Sequence, residues 1–433
     1  MSSRTHKRGC LAALLLCVML LVGCGAATIL PTPTPEPVEL TFAARRGVAD
    51  YAPLAEQFHR LYPNITVKLV AYQQGQSFGG GLQNLKTLGV DAFRDTMPYP
   101  ADPRLKGELF PLDEWIAANK AFPTDILNGV MDALKIDGTQ FGVPAGINPV
   151  VAYYDSKRFS AVKVPPPSPN WTLSDFLQAA IAVNNQEVKQ LENANFTYGF
   201  CSEATGIDPV IITYLFGGQL VDNLLNPTRP TLDAAANIRA VQWYASLRSQ
   251  YGITPAPDEL RQIFRSSSIN DAIVLGRCGL WIGFYADMGG RAWGRKPVGE
   301  PVMMPLPRGQ VTFTAASVDG YYILRQSKHP EQAWKWLSFL MEHEEAAGVY
   351  MPVQRSQINS EAFASRVSAD AVRVARGLPP QVLLVGATIP QGMQSLFATY
   401  VQAVDQVVRG QAEAKAALSS AQARAVMLFT STH

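Results

Sequence analysis

Motifs for metal or nucleotide chemistry are what this chain lacks. Its five histidines form no H-x-x-x-H or HExxH pair, and no cysteines stand at metal-ligand spacing, which excludes the common His/Cys metal sites. No Walker A sequence occurs, so a P-loop ATPase is excluded as well. Charge of one sign is missing too: 37 Lys and Arg stand against 35 Asp and Glu, a formal net charge of +2. Such a balance gives no field that would favour nucleic acid. Only five cysteines are present, and Cys10, Cys17 and Cys24 all fall in the first 24 residues. Beyond that point no apolar run approaches the roughly 20 residues a membrane helix needs. No internal repeat is visible.

What is there begins at the N-terminus. Arg4, His6, Lys7 and Arg8 precede the apolar stretch "LAALLLCVMLLV", the pattern of a secretory signal over residues 1–23. The stretch ends in "LVGC", which resembles the lipobox of bacterial lipoproteins, and this implies cleavage before Cys24 and a lipid on its sulfur. Pro31, Pro33, Pro35 and Pro37 then alternate through residues 24–37, a stretch that packs no core and reads as an extended tether. The chain is therefore expected to be extracytoplasmic and held to the membrane by lipid.

The remainder is long enough for two domains, and 47% hydrophobic residues suit sizeable cores. "VELTFAA" alternates Val38, Leu40 and Phe42 as a half-buried strand. "DYAPLAEQFHRLYPN" is a helix with Leu54, Phe58 and Leu61 on one face, stopped by Pro63. "ITVKLVAY" is a second strand, so the start is a βαβ unit and implies a parallel sheet. "DGTQFGVPAGINPVVAYYDSKRF" reads as a turn at Asp137-Gly138 followed by two short extended pieces. "NWTLSDFLQAA" is a helix capped by Thr172 or Ser174. "DAIVLGRCGLWIGF" is a helix end, a turn and a strand. "PEQAWKWLSFLM" places Ala333, Trp336, Leu337, Leu340 and Met341 on one helical face, and "EAKAALSSAQARAVML" does the same with Ala414, Leu418, Ala421 and Ala425. The fold class is α/β, with two lobes.

The order of these pieces resembles the solute-binding proteins of ABC importers, in the carbohydrate-binding group that includes maltose-binding protein. The resemblance runs from the lipobox through "LAEQFHRLYPNITVKL", "GELFPLDEWI", "DGTQFGVPAGINPVVAYYDSKRF", "TYLFGGQLVDN", "VLGRCGLW" and "HPEQAWKWLSFLM". It implies a periplasmic-binding-protein-like fold, with residues 38–147 plus 319–352 as the first lobe. Residues 148–318 plus 353–433 form the second, and hinge crossings fall near 146–151, 316–319 and 351–355. It also implies a sugar or oligosaccharide bound between the lobes by hinge closure, a monomer without cofactor, and ABC permease subunits as partners.

Ligand-binding candidates follow from the chemistry of a sugar, which needs an aromatic platform and a hydrogen-bonding rim. Trp281 stands where the resemblance puts the platform, with a core tryptophan as the alternative, and Tyr285 lies four residues on. Asn148, Asp319 and Tyr321 flank hinge crossings. Glu203 is a loop acid at the expected mouth. Arg45 and Arg46 leave the first strand before a helix N-terminus, a ready anion site. Arg94 and Asp95 follow a strand at the same mouth, so an anionic solute is a serious candidate. Cys201 and Cys278 are either a disulfide or two buried thiols.

The rival reading is a surface lipoprotein hydrolase, a glycosidase or an esterase. "GQSFG", residues 75–79, fits a nucleophile elbow, with His329 and His343 downstream. The loose run of glycines after it and its early position in the sheet argue against catalysis, and no enzyme is expected.

Overall fold

A computed structural model describes residues 36–44, 47–72, 78–96, 106–193, 195–223, 227–265, 268–288, 295, 297–379, 382–384 and 393–430. The chain divides into residues 1–38 and a large unit of residues 39–433; the cores and cavities described below lie in the large unit. Among the described residues no helix is long and apolar enough to cross a membrane.

The strands are β1 (Val38–Ala44), β2 (Ile65–Ala71), β3 (Ala92–Thr96), β4 (Lys135–Ile136), β5 (Thr139–Gln140), β6 (Gly142–Asp155), β7 (Tyr198–Cys201), β8 (Cys278–Phe284), β9 (Pro301–Met304), β10 (Thr314–Ile323) and β11 (Val382–Leu384). Nine form one mixed sheet in the order β2-β1-β3-β10-β6-β8-β7, with β11 beside β10 and β9 beside β6. β1 runs parallel to β3, and β7 parallel to β8. β10 is antiparallel to both β3 and β6.

β1 differs from the half-buried strand that its alternation predicts. Leu40, Phe42, Ala43 and Ala44 are all at most 1% exposed, because β1 lies between β2 and β3 and both of its faces are covered. Phe42 packs edge-on against Tyr51 and Trp336 on one face, while Ala43 shares a core with Leu85 and Phe93 on the other. Leu61, the last residue of its helix, is 65% exposed, whereas Leu54 and Phe58 are buried. The amphipathic stripe thus ends one turn early.

Asp137 and Gly138, at φ 45° and 82°, make the β4–β5 turn. Positive φ at both central residues matches the twist of a two-residue hairpin. The two extended pieces expected beyond it are one strand, the 14-residue β6, buried along its whole length. Pro144 lacks an N–H for the ladder, and the pairing with β10 shifts beside it, between Asp319 and Gly320.

β6 serves both ends of the sheet. Its first part pairs with β10 through residue 149, and from Val150 on it pairs with β8. Ile147 also exchanges two backbone hydrogen bonds of 2.9 Å with Met351. The segments near 147, 318 and 351 therefore lie side by side. Gly146 permits this approach, since a Cβ there would come within 3.0 Å of the Tyr350 Cβ and 3.3 Å of the Met351 carbonyl oxygen.

The helix Pro330–Glu342 buries Ala333, Trp336, Leu337, Leu340 and Met341 as its periodicity predicts. Thr172 caps the helix Leu173–Val183 through a capping box with Asp175. Trp171, immediately before it, is buried and donates from Nε1 to the Pro305 carbonyl at 2.9 Å.

Candidate functional site

A cavity of about 820 Å³ opens at the strand ends, between residues 49–57 and 345–349 on one side and the β6, β8 and β9 region on the other. Its apolar wall is Tyr153, Tyr285, Met288, Pro301 and Met303. The lining also carries Asp50, Gln57, Glu345, Arg366, Ser368 and Asp370, with Pro53, Leu54 and Val349 adding apolar surface. Both the volume and the mixture of apolar wall with few polar groups are those of a small-molecule site.

Tyr285 is central to it. The residue is 4% exposed, and among the described residues its hydroxyl has no hydrogen-bond partner. Burial raises its pKa well above the ordinary tyrosine value; Arg366 opposes this, and Asp370 and Glu344 add to it. Asn148 supports the turn that carries Tyr285, its Oδ1 accepting from the Ala286 N–H at 2.9 Å. Tyr153 donates its hydroxyl to the Phe284 carbonyl at 2.8 Å, so both tyrosines are tied to the end of β8. Met288, at the rim, is 64% exposed and stands at φ 50°. That backbone region is costly for a residue with a side chain, and Met288 adopts it as the residue that ends the short helical turn Tyr285–Asp287.

Trp281 lies one layer behind. It is 2% exposed and stacks on Tyr153 at 5.6 Å and 15° between planes, so it backs the cavity wall without lining it. Cys201 and Cys278 are joined by a disulfide between the parallel strands β7 and β8, where Cys201 faces Trp281 in register.

The basic and acidic candidates divide. The guanidinium of Arg94 is buried and committed to protein oxygens. Nε donates to Asp319 Oδ2 at 2.8 Å, Nη1 to the Tyr51 hydroxyl at 2.8 Å and the Ala346 carbonyl at 3.0 Å, and Nη2 to the Ala347 carbonyl at 3.0 Å. Tyr321 joins the same cluster, within 3.3 Å of the Tyr51 hydroxyl and donating to Ala346 at 3.2 Å. Arg94, Asp319 and Tyr321 are thus one network beneath residues 346–347, outside the cavity lining. Asp95 is 2% exposed and accepts from the Tyr72 hydroxyl. Glu203 accepts from the Ile269 N–H at 2.6 Å, at the start of the helix Ile269–Val274, and lines a second cavity of about 420 Å³ with Ser202, Thr205 and Tyr244. Arg45, Arg46, Cys24 and most of "GQSFG" lie outside the described residues.

Sequence reasoning left out Tyr153, Asp50, Glu345, Arg366 and Asp370. None carries a motif, and they come from four separated stretches that only the fold assembles. The positive φ of Met288 is a structural marker with no counterpart in sequence.

Residues 54–374 match the sequence profile of the bacterial extracellular solute-binding proteins, about three-quarters of the chain. The chain belongs to that family. The resemblance read from its sequence holds at this level, and the family is one of binding proteins located outside the cytoplasm. A binding protein of Brucella abortus is 22% identical over 326 residues, covering 73% of this chain and 74% of that protein. A sugar-binding protein from the phytopathogen Xanthomonas citri superimposes with a TM-score of 0.71 at 16% identity, over 91% of this chain and 98% of the other. An ABC substrate-binding protein of Listeria monocytogenes, solved with cycloalternan, gives 0.68 at 18% identity, over 90% and 98%. The solute-binding protein described here therefore has their two-lobe α/β fold.

Proposed function

We propose that this protein is the receptor of an ABC importer and that a sugar or oligosaccharide is its solute, held in the 820 Å³ cavity by closure of two lobes. The observation that carries the reading is the cavity itself, lined by Tyr153, Tyr285, Met288 and Met303 together with Asp50, Gln57, Glu345, Arg366 and Asp370. A sugar ring offers an apolar C–H face and a rim of hydroxyls, which this lining complements. The structural neighbours from Xanthomonas citri, a sugar-binding protein, and Listeria monocytogenes, solved with cycloalternan, add weight.

In this reading residues 38–147 plus 319–352 form one lobe and residues 148–318 plus 353–433 the other, hinged where the segments near 147, 318 and 351 meet. Ligand bridges both lobes only when they are closed, so binding shifts the population toward the closed state. The closed form is what the permease subunits engage. Cys24, lipidated, and the proline ladder tether a monomeric receptor at the membrane.

A thermal-shift screen tests this, using protein that has been unfolded and refolded to remove carried-over solute. A ligand at about 1,000 times its Kd adds roughly 4 kcal/mol and raises Tm by several degrees. Stabilisation by sugars supports the reading. A screen in which sugars shift nothing while ester or glycoside substrates are turned over returns the chain to the hydrolase alternative.

A further inference from the structure

Two stretches far apart in sequence supply lining to the cavity. Ala49, Asp50 and Gln57 come from the helical turn Val48–Tyr51 and the helix after it, and Glu345, Gly348 and Val349 from the turn Glu344–Ala347 and the residues that follow. Both stretches lie outside the strands of the sheet, so no strand ladder sets one against the other. Their own backbone hydrogen bonds are local: the Asp50 N–H donates to the Gly47 carbonyl at 3.0 Å, and the Gly348 N–H to the Glu345 carbonyl at 3.0 Å.

One side chain reaches both. Arg94 donates from Nη1 to the hydroxyl of Tyr51, the last residue of the first turn, at 2.8 Å. In the second stretch it donates to the Ala346 carbonyl from Nη1 and to the Ala347 carbonyl from Nη2, each at 3.0 Å. Its Nε is held by Asp319 at 2.8 Å, and Asp319 stands in register with Thr96 of β3 and Gly146 of β6. The guanidinium is thus oriented from the middle of the sheet. The Ala346 carbonyl collects three donors in all, from Arg94, from Tyr51 at 3.3 Å and from Tyr321 at 3.2 Å. The Arg94 guanidinium also lies over the Tyr350 ring, 5.2 Å from its centroid. At 9% exposure Arg94 itself does not line the cavity.

A guanidinium is planar and its donors leave in fixed directions, so partners on its different edges are fixed relative to each other. A buried polar network of this kind rigidifies what it joins. We propose that Arg94 is a positioning residue for solute binding. It touches no solute; it sets the two lining stretches at the spacing the solute meets, so that binding does not have to order them. The proposal rests on the cavity being the solute site.

Hydrogen–deuterium exchange of the full chain, without solute, tests the placement directly. Arg94→Lys keeps a cation beside Asp319 but loses the planar fork. Exchange in residues 47–57 and 344–350 should rise together, by about 10-fold or more. The helix Ala235–Ser249, which packs in a separate core, should keep its wild-type rate. Tyr51→Phe removes a single joint and keeps the test available if Arg94→Lys does not fold: residues 47–57 should loosen while Arg94 and Tyr321 still hold 344–350. Wild-type rates in either variant overturn the proposal, because charge or packing alone then suffices. A rise shared by Ala235–Ser249 marks general destabilisation and overturns it too. Titration with maltotriose carries the test to binding, where Arg94→Lys should weaken affinity about 10-fold. Equal affinity overturns the proposal even where exchange rises. If maltotriose does not bind the wild type, that result counts against maltotriose as the solute, and the exchange pattern alone decides.

Discussion

Arg94 and Asp319 meet across the neighbouring strands β3 and β10, Nε to Oδ2 at 2.8 Å, with side chains only 10% and 9% exposed. Removing one partner of a buried pair leaves the other uncompensated, at about 3–5 kcal/mol, whereas replacing both with apolar groups of similar size costs far less. Arg94→Met is therefore expected to lower unfolding free energy in urea by that amount. Arg94→Met combined with Asp319→Leu should recover part of the loss. If Arg94→Met unfolds like the wild type, the pair is not what fixes residues 346–347 to the sheet.

Tyr285→Phe separates stability from binding. The hydroxyl has no partner among the described residues, so its removal should leave the unfolding midpoint unchanged or slightly raised. If the hydroxyl pairs with solute, affinity falls by roughly 5–10-fold, the worth of one net hydrogen bond of about 1 kcal/mol. Titration calorimetry beside thermal unfolding reads both quantities. A lower Tm with unchanged affinity would assign the hydroxyl to the fold.

Trp281→Ala should cost about 3–5 kcal/mol, as for other buried aromatic residues. Because Trp281 stacks on Tyr153, affinity is also expected to fall, through a wall that has lost its backing. Trp281→Phe keeps a ring against Tyr153 and should restore most of both. Affinity that survives Trp281→Ala intact would detach this wall from the solute.

The Cys201–Cys278 bridge spans 77 residues of chain. By the chain-entropy estimate it is worth about 4.5 kcal/mol. Cys201→Ala combined with Cys278→Ala should show a loss of that order in equilibrium unfolding under oxidising conditions.

Glu259 predicts a pH effect. Burial, the largest single influence, raises its pKa, but hydrogen bonding from the Ala256 N–H, the Lys189 ammonium and the charge of Arg248 together hold it below the usual value. A carboxyl with a depressed folded-state pKa stabilises the fold above its unfolded value, about 4.3, and loses that contribution as pH falls through the folded value. Glu259→Gln should therefore flatten the fall in Tm on acidification below about pH 5, measured by thermal melts across that range.

The helices were legible because their cores are local. Trp336, Leu337 and Leu340 sit where a 3.6-residue period puts them. The sequence offers Thr172 or Ser174 as the cap of the helix after Trp171, and the geometry of Asp175 decides for Thr172. The site was much less legible. Arg94 pointed toward an anionic solute because sequence does not show that Asp319, 225 residues away, lies opposite. Tyr153 and Asp370 come together only after β6 has paired with β9 and the Met303 N–H has met Asp370, a fact of topology that no window of residues contains. Of the candidates, Tyr285 lines the cavity, with Asn148 and Trp281 behind it, while Glu203 belongs to a neighbouring hollow.

β10 is also a matter of timing. β3 has β10 as its neighbour on one side, and a ribosome must make residues 314–323 before that neighbour exists. Until then β3, already synthesised, presents a bare row of N–H and C=O groups, the kind of edge that invites pairing with other chains. Contacts this distant in sequence also close slowly. The nascent chain thus remains an incomplete sheet until β10, ending at Ile323, has been made.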